Sequence, residues 1–400
     1  VGAGLRRHDV IFAEATCHNF SVTPAKAGAY ASFRGRAAGS VRVRSIGTIH
    51  RLMKLIAVPA AAVFLGSAAA SAQTKPDAAG ISTQAIAVEA KPIASFSKSG
   101  TPSHLGRLEW RGGLVLTSSS RYFGGWSGLA LDNDGKSFIA VSDAGLWMTG
   151  ELAYDGTRPK AMRGARIGSL LTAKGKPLSR GRDRDSESIS LLSGTPAKGT
   201  AYIAFEQHDR IGIFALDKNG LGKPASYMMM PKEAVGARST DGIEATAVLT
   251  GGPRKGAPVA FAEHPLRGEK MHRGWIWISG KPQTFTVPGL GDYGVTDAAA
   301  LPDGSVLIVE RRFRWFDGVR IRLRLLAAEG IKPGGTARGE ILLQADSTSE
   351  IDNLEALAVS QGARGETVIT LMSDDNYNRF LQRTLLLQFT LKERATAQAQ

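Results

Sequence analysis

The chain has 400 residues, 43% of them hydrophobic and only 7% aromatic, with 47 glycines and a single cysteine, Cys17. That composition suits a globular, turn-rich protein held by packing, and it excludes a disulfide scaffold. The formal net charge is +14, but no nucleic-acid motif accompanies it, so anionic small ligands or surface lipids come before DNA or RNA as partners.

In chain order, residues 1–52 precede the first methionine, Met53, and are read as over-extended translation without structure. They carry eight Lys or Arg against two Asp or Glu, which leaves about +8 for the remainder. Met53 and Lys54 open a short basic start, followed by an apolar run and the small residues Ala70, Ser71 and Ala72. This is the pattern of a secretory signal peptide over 53–72, with cleavage before Gln73 and a periplasmic or secreted product. The alternative, a transmembrane anchor, conflicts with Pro59 and Gly66 inside the run. Residues 73–103, rich in Ala, Ser, Lys and Pro, read as a linker, and residues 392–400 as a disordered tail.

Between them, over 104–391, short β-rich runs alternate with Gly, Asp and Asn turns, and no stretch keeps a helical period. One unit recurs about every 55 residues: an apolar strand, a turn, and a second strand ending in an acid. Its copies pair Trp126–Leu131 with Phe138–Asp143, Asp185–Ser190 with Ala201–Glu206, Asp241–Ala245 with Val259–Glu263, Val295–Ala300 with Val306–Glu310, and Asp352–Ala358 with Val368–Asp374. A unit this short cannot bury both faces of its own sheet, so copies must stack, and radial stacking makes an all-β propeller. Five copies are plain, and Leu105–Ser120 supplies a closing strand or part of a sixth blade, so five or six blades are expected. A β-sandwich is the alternative, but it does not explain why acids recur at matching places.

The start of one strand and the end of its antiparallel partner lie at the same end of a hairpin. Glu187 with Glu206, Glu244 with Glu263, Asp297 with Glu310, and Glu355 with Asp374 should therefore gather at one mouth of the channel. Such crowding calls for cations. Oxygen donors from Asp143, Asp185, Glu206, Glu263, Asp297, Glu310, Asp352, Asn353, Asp374, Asp375 and Asn376 suit a hard divalent metal, calcium above all. His208 and His264 leave a mixed nitrogen and oxygen site open. Arg180, Arg182 and Arg184 precede Glu187, and Arg311, Arg312 and Arg314 follow Glu310, so guanidinium forks stand beside the acids. Arg320, Arg322 and Arg324 alternate with apolar residues and read as one solvated face of an outer strand. Five of the six tryptophans, Trp126, Trp147, Trp275, Trp277 and Trp315, read as packing between blades rather than as a sugar-binding surface.

Several pieces together resemble the bacterial phytase-like family, also described as having esterase-like activity of phytase: Ser127–Leu129 with Val141–Asp143, the Arg182–Glu187 loop, Val309–Phe313, Asp352–Glu355, and Ser373–Asn376 with Gln382 and Thr384. The resemblance covers about 104–391. It implies an exported propeller and suggests hydrolysis of phosphate or other esters by acidic residues. For such an enzyme the expectation is metal-assisted phosphoester hydrolysis, with Glu187, Glu244 or Glu355 as base and Arg311 or Arg312 stabilising developing charge. Gly125–Gly128 lacks the spacing of a serine-hydrolase elbow, and there is no P-loop or dinucleotide fingerprint. The alternatives are a metal-dependent lactonase or carboxylesterase, and a non-catalytic periplasmic binding or scaffold propeller.

Overall fold

The computed structural model describes residues 75–77, 80–100, 105–179, 181–234, 242–266 and 268–393. The signal peptide, its cleavage point, the segment before it, Arg180 and Asp241 lie outside the described residues. The described chain is almost wholly antiparallel sheet, and its five sheets form a ring, a five-bladed β-propeller.

Three strands precede the first full blade: β1 (Gln84–Ala85), β2 (Glu89–Ile93) and β3 (Leu108–Thr117). Blade one contains β4 (Trp126–Leu131), β5 (Ser137–Ser142), β6 (Leu146–Asp155) and β7 (Arg158–Ser169), with β1 added outside β7. Blade two is β8 (Ser186–Thr195), β9 (Lys198–Phe205), β10 (Arg210–Asp217) and β11 (Gly220–Tyr227). Blade three is β12 (Ile243–Val248), β13 (Pro258–Ala262), β14 (Met271–Ile278) and β15 (Lys281–Pro288). Blade four is β16 (Gly294–Ala300), β17 (Val306–Arg314), β18 (Gly318–Leu326) and β19 (Gly339–Ala345). Blade five is β20 (Asn353–Gln361), β21 (Thr367–Asp374) and β22 (Thr384–Leu391), completed from the other end of the fold by β3 and then β2. The expected closing strand is thus β3, whose Gly113 pairs with Leu387. Two strands, β1 and β2, lie inside the stretch read as a linker.

The first strand of each blade lines the axis, and the five innermost strands pack on one another in cyclic order. They are built of small residues because neighbouring backbones approach closely there. A Cβ on Gly128 of β4 would stand 2.7 Å from the Ile189 nitrogen and 2.9 Å from the Ser188 Cα of β8. Farther out the blades interleave larger side chains: Phe205 and Phe214 in one layer, Phe261 edge-on to Phe285 in another. Trp126, Trp147, Trp275 and Trp277 are buried in this packing, whereas Trp315 is exposed at the β17–β18 turn. Among the described residues no helix is long and apolar enough to cross a membrane.

The arginines of β18 depart from the expected solvated face. The side chains of Arg322 and Arg324 are 4% and 1% exposed and converge on the fully buried Glu310 of β17, at 2.6 and 2.7 Å. Arg322 also lies over the Tyr293 ring and donates to the Leu290 carbonyl, and Arg324 donates to the Pro288 carbonyl. The alternation is real, but the segment leading into β16 covers the face that sequence alone leaves open. Truncation at Glu310 would strand two buried guanidinium groups, so Glu310→Ala is expected to destabilise the fold by about 3–5 kcal/mol. Urea denaturation measures this, and a loss below about 1 kcal/mol would contradict a tightly buried triad.

Candidate functional site

A single irregularity recurs in every blade. Each innermost strand carries a β-bulge at its second or third residue, so that Ser127, Glu187, Glu244, Thr296 and Glu355 have no partner in the ladder. A bulge re-aims the extra residue and bends its strand. Beside each bulge the second strand or the residue directly after it supplies Asp143, Glu206, Glu263, Arg311 or Asp374, each directly after the residue that pairs at the bulge's outer edge. Two sets of five positions therefore circle one mouth of the channel. Asp185 and Asn353 add a third level from the strand entrances.

The fourth blade differs from the sequence expectation by one residue. Thr296, not Asp297, holds the bulge, and Arg311, not Glu310, holds the matching position on the second strand. Because side chains alternate along a strand, that one-residue offset sends Asp297 and Glu310 elsewhere. Glu310 belongs to the arginine triad of β18. Asp297 is fully buried among the innermost strands, accepting from Ser188 Oγ at 2.8 Å and from the Leu357 amide at 2.7 Å. It joins blades two, four and five across the axis, and burial raises its carboxyl well above the usual range against those hydrogen bonds.

Other expected ligands hold the backbone. Asp352 accepts from the Asn353 and Arg383 amides, and Asp375 from the Gly125 and Tyr377 amides. Asn376, at φ 47°, turns the chain and donates its amide to Asp374 Oδ1. Arg312 points away from the mouth, to Asp317 at 2.9 Å and Asp292 at 3.4 Å.

Among the described residues eight carboxylates remain at the mouth: Asp143, Asp185, Glu187, Glu206, Glu244, Glu263, Glu355 and Asp374. The tightest grouping is Asp185, Glu187 and Glu206, each offering one oxygen within 4.8 Å of the others. It contains no histidine: His208 lies 2.7 Å from Asp183, and His264 3.6 Å from Glu263. Among the described residues two cations face the acids. The Arg311 guanidinium bonds Asn353 Oδ1 and Glu355 Oε1 and stands 3.6 Å from Glu263. Lys75, from the stretch read as a linker, places its ammonium 2.8 Å from Asp143 and 3.2 Å from Asp185. Gly294 makes room at the third and fourth blades, where a Cβ would come within 3.0 Å of the Glu263 carboxylate.

The two described cations do not neutralise these eight acids in a desolvated space. Burial, then Asp185 and Glu355, push the Glu187 carboxyl well above its usual range; burial, then Glu187 and Glu263, do the same to Glu244. Asp374 is raised by burial and by Glu355 and Asp143. Burial would lower Arg311, but Glu355, Glu263 and Glu244 outweigh it and hold the guanidinium charged. The arrangement can retain protons or bind a hard cation, and its donors are oxygen alone in the tightest group.

Residues 121–377, well over half of the chain, match the family model described as Phytase-like, esterase-like activity of phytase. No curated protein matches the chain. Among solved structures, it is similar to the PQQ-bound aldose sugar dehydrogenase of Streptomyces coelicolor at 13% identity and a TM-score of 0.36, over 70% of this chain and 97% of that one. It is also similar to the endo-arabinase of Bacteroides thetaiotaomicron at 10% identity and a TM-score of 0.43, over 68% of this chain and 94% of that one. Neither likeness bears on the site.

The crowding has a measurable pH signature. Asp143 is pushed from 3.8 up to about 6, by burial and against the pull of Lys75, and Glu206 from 4.5 up to about 8, by burial and by Asp185 and Glu263. A carboxyl whose folded pKa exceeds its unfolded value binds its proton more tightly in the folded state. Its stabilising contribution is present below the unfolded pKa and is lost as pH rises through the folded one. In chelator, the melting temperature should fall by several degrees between about pH 5 and about pH 8.5, and Glu206→Gln should flatten the fall. A wild-type melting temperature that rises over that window would contradict the crowding.

Proposed function

The chain belongs to the phytase-like family, and from that premise we propose that the acidic mouth is a metal-dependent phosphoester hydrolase site for small anionic phosphomonoesters or phosphodiesters, in a protein exported after cleavage before Gln73. The observation that carries the reading is the convergence of Asp185, Glu187 and Glu206 within 4.8 Å on the same mouth as the Arg311 guanidinium.

The three acids fit a hard divalent ion, calcium first, by the chemistry of their donors and by their shortage of positive charge. When bound there, such an ion supplies Lewis acidity to a phosphoryl oxygen and lowers the pKa of a coordinated water. The remaining roles fall to the chain. Glu355 and Asn353 hold the Arg311 fork in place, so that its charge is organised before substrate arrives. Asn353 Nδ2 in turn donates to Glu355 Oε1 at 2.9 Å and fixes that carboxylate's orientation. Glu244, whose carboxyl is pushed above its usual range by burial and then by Glu187 and Glu263, is placed to deliver a proton to the departing alkoxide oxygen. The hydroxyls of Ser127 and Thr296, the other two bulge residues, bond to backbone carbonyls and leave the acids of blades two, three and five to act.

The test is hydrolysis of p-nitrophenyl phosphate, bis-p-nitrophenyl phosphate and p-nitrophenyl acetate by the purified protein, with and without chelator. Turnover of a phosphate ester that chelator abolishes is expected. Arg311→Ala should lower kcat by about 100- to 1000-fold, and Glu187→Gln should reduce metal content. Turnover confined to the acetate, or indifferent to chelator, would sink the phosphoester reading.

A further inference from the structure

We propose that Lys75 is a tethered cation that competes with divalent metal for the acidic mouth and sets the metal affinity of the site. The inference rests on the metal reading above and names what regulates it. Asp185 is the shared element. It is one of the three acids whose oxygens lie within 4.8 Å of one another, and it is also a partner of the Lys75 ammonium at 3.2 Å. An ion held by Asp185, Glu187 and Glu206 and an ammonium on the same carboxylate would repel each other at close range, in surroundings where charge is poorly screened.

The strap carrying Lys75 is fixed at several points. Arg184 reaches Asp77 at 2.9 Å, Ser169 Oγ donates to the Ile81 carbonyl at 3.3 Å, Ile81 packs with Tyr122 against Ala144, Leu146 and Tyr377, and β1 pairs with β7. These anchors hold the backbone near the mouth without holding the ammonium in it. The Lys75 side chain is 46% exposed and runs on a four-carbon stem, so it can swing to solvent, or keep Asp143 at 2.8 Å alone, while the strap stays in place. Arg311 has no such freedom: it projects from the interior of β17 with a bonded fork. Of the two cations at the mouth, one is built in and the other is displaceable.

A merely structural salt bridge would change stability and leave metal affinity alone, which separates the two roles. Calcium titrations by calorimetry at fixed pH and ionic strength compare wild type, Lys75→Met and Lys75→Arg. Lys75→Met is expected to bind calcium about tenfold more tightly or better, with Lys75→Arg close to wild type, and the calcium-free Met variant should melt lower. If wild type binds calcium and Lys75→Met binds it equally or more weakly, the competition is overturned while the metal reading stands. If neither wild type nor Lys75→Met binds calcium, the metal reading fails, and the competition fails with it.

Discussion

Mutual repulsion among carboxylates at one end of the channel governs how the rest of this propeller is arranged. Like charges so placed must be neutralised by protons, by fixed cations or by bound ions, and each route leaves a mark. Proton retention appears in the raised carboxyls of Glu187, Glu206 and Glu244. Cations of the chain appear as Arg311, held in place, and Lys75, tethered by its strap. The scaffold that forces the acids together is ordinary packing: five innermost strands of small residues, close enough that Gly128 has no room for a methyl group. The bulge shared by those strands turns this packing into convergence.

Fivefold repetition alone would give a symmetric acidic ring with no direction. The fourth blade breaks it, placing Thr296 where three other blades have glutamate and Arg311 where all four others have an acid. The mouth therefore has an oxygen-rich side at blade two and a guanidinium at blade four. The same blade supplies Asp297, which holds the axis together one residue deeper. Orientation of the site and cohesion of the channel thus both draw on the blade that departs most from the repeat.

Much of this was legible in the sequence. The repeat showed through turns and alternating strands, and Glu187 with Glu206, Glu244 with Glu263, and Glu355 with Asp374 reach the same mouth because each strand keeps its acid at a fixed offset. Blade four misled because an acid stands next to the equivalent position in both strands: Asp297 beside Thr296, and Glu310 beside Arg311. A one-residue slip is invisible in composition, yet it reverses the direction of a side chain. Arg322 is covered by Leu290 and Tyr293 and Arg324 meets the Pro288 carbonyl, contacts that alternation along β18 cannot reveal. Lys75 was hidden for another reason: β1 has two residues and β2 only five, one of them Pro92, so the segment lacks the periodicity that marks a strand.

The fifth blade joins β3 near the beginning of the fold to β22 at its end, with Gly113 beside Leu387. Pairing across so much chain is slow to nucleate, because the loop must close before the ladder rewards it. Blades two to four can form from contiguous sequence, but the ring cannot shut until the last strand exists. Until then β3 presents an unsatisfied edge, and the acids of blade five, Glu355 and Asp374, lack the support that keeps them at the mouth. Closure therefore acts as a checkpoint: a chain cut short before Thr384 would have most of its sheets and no assembled site.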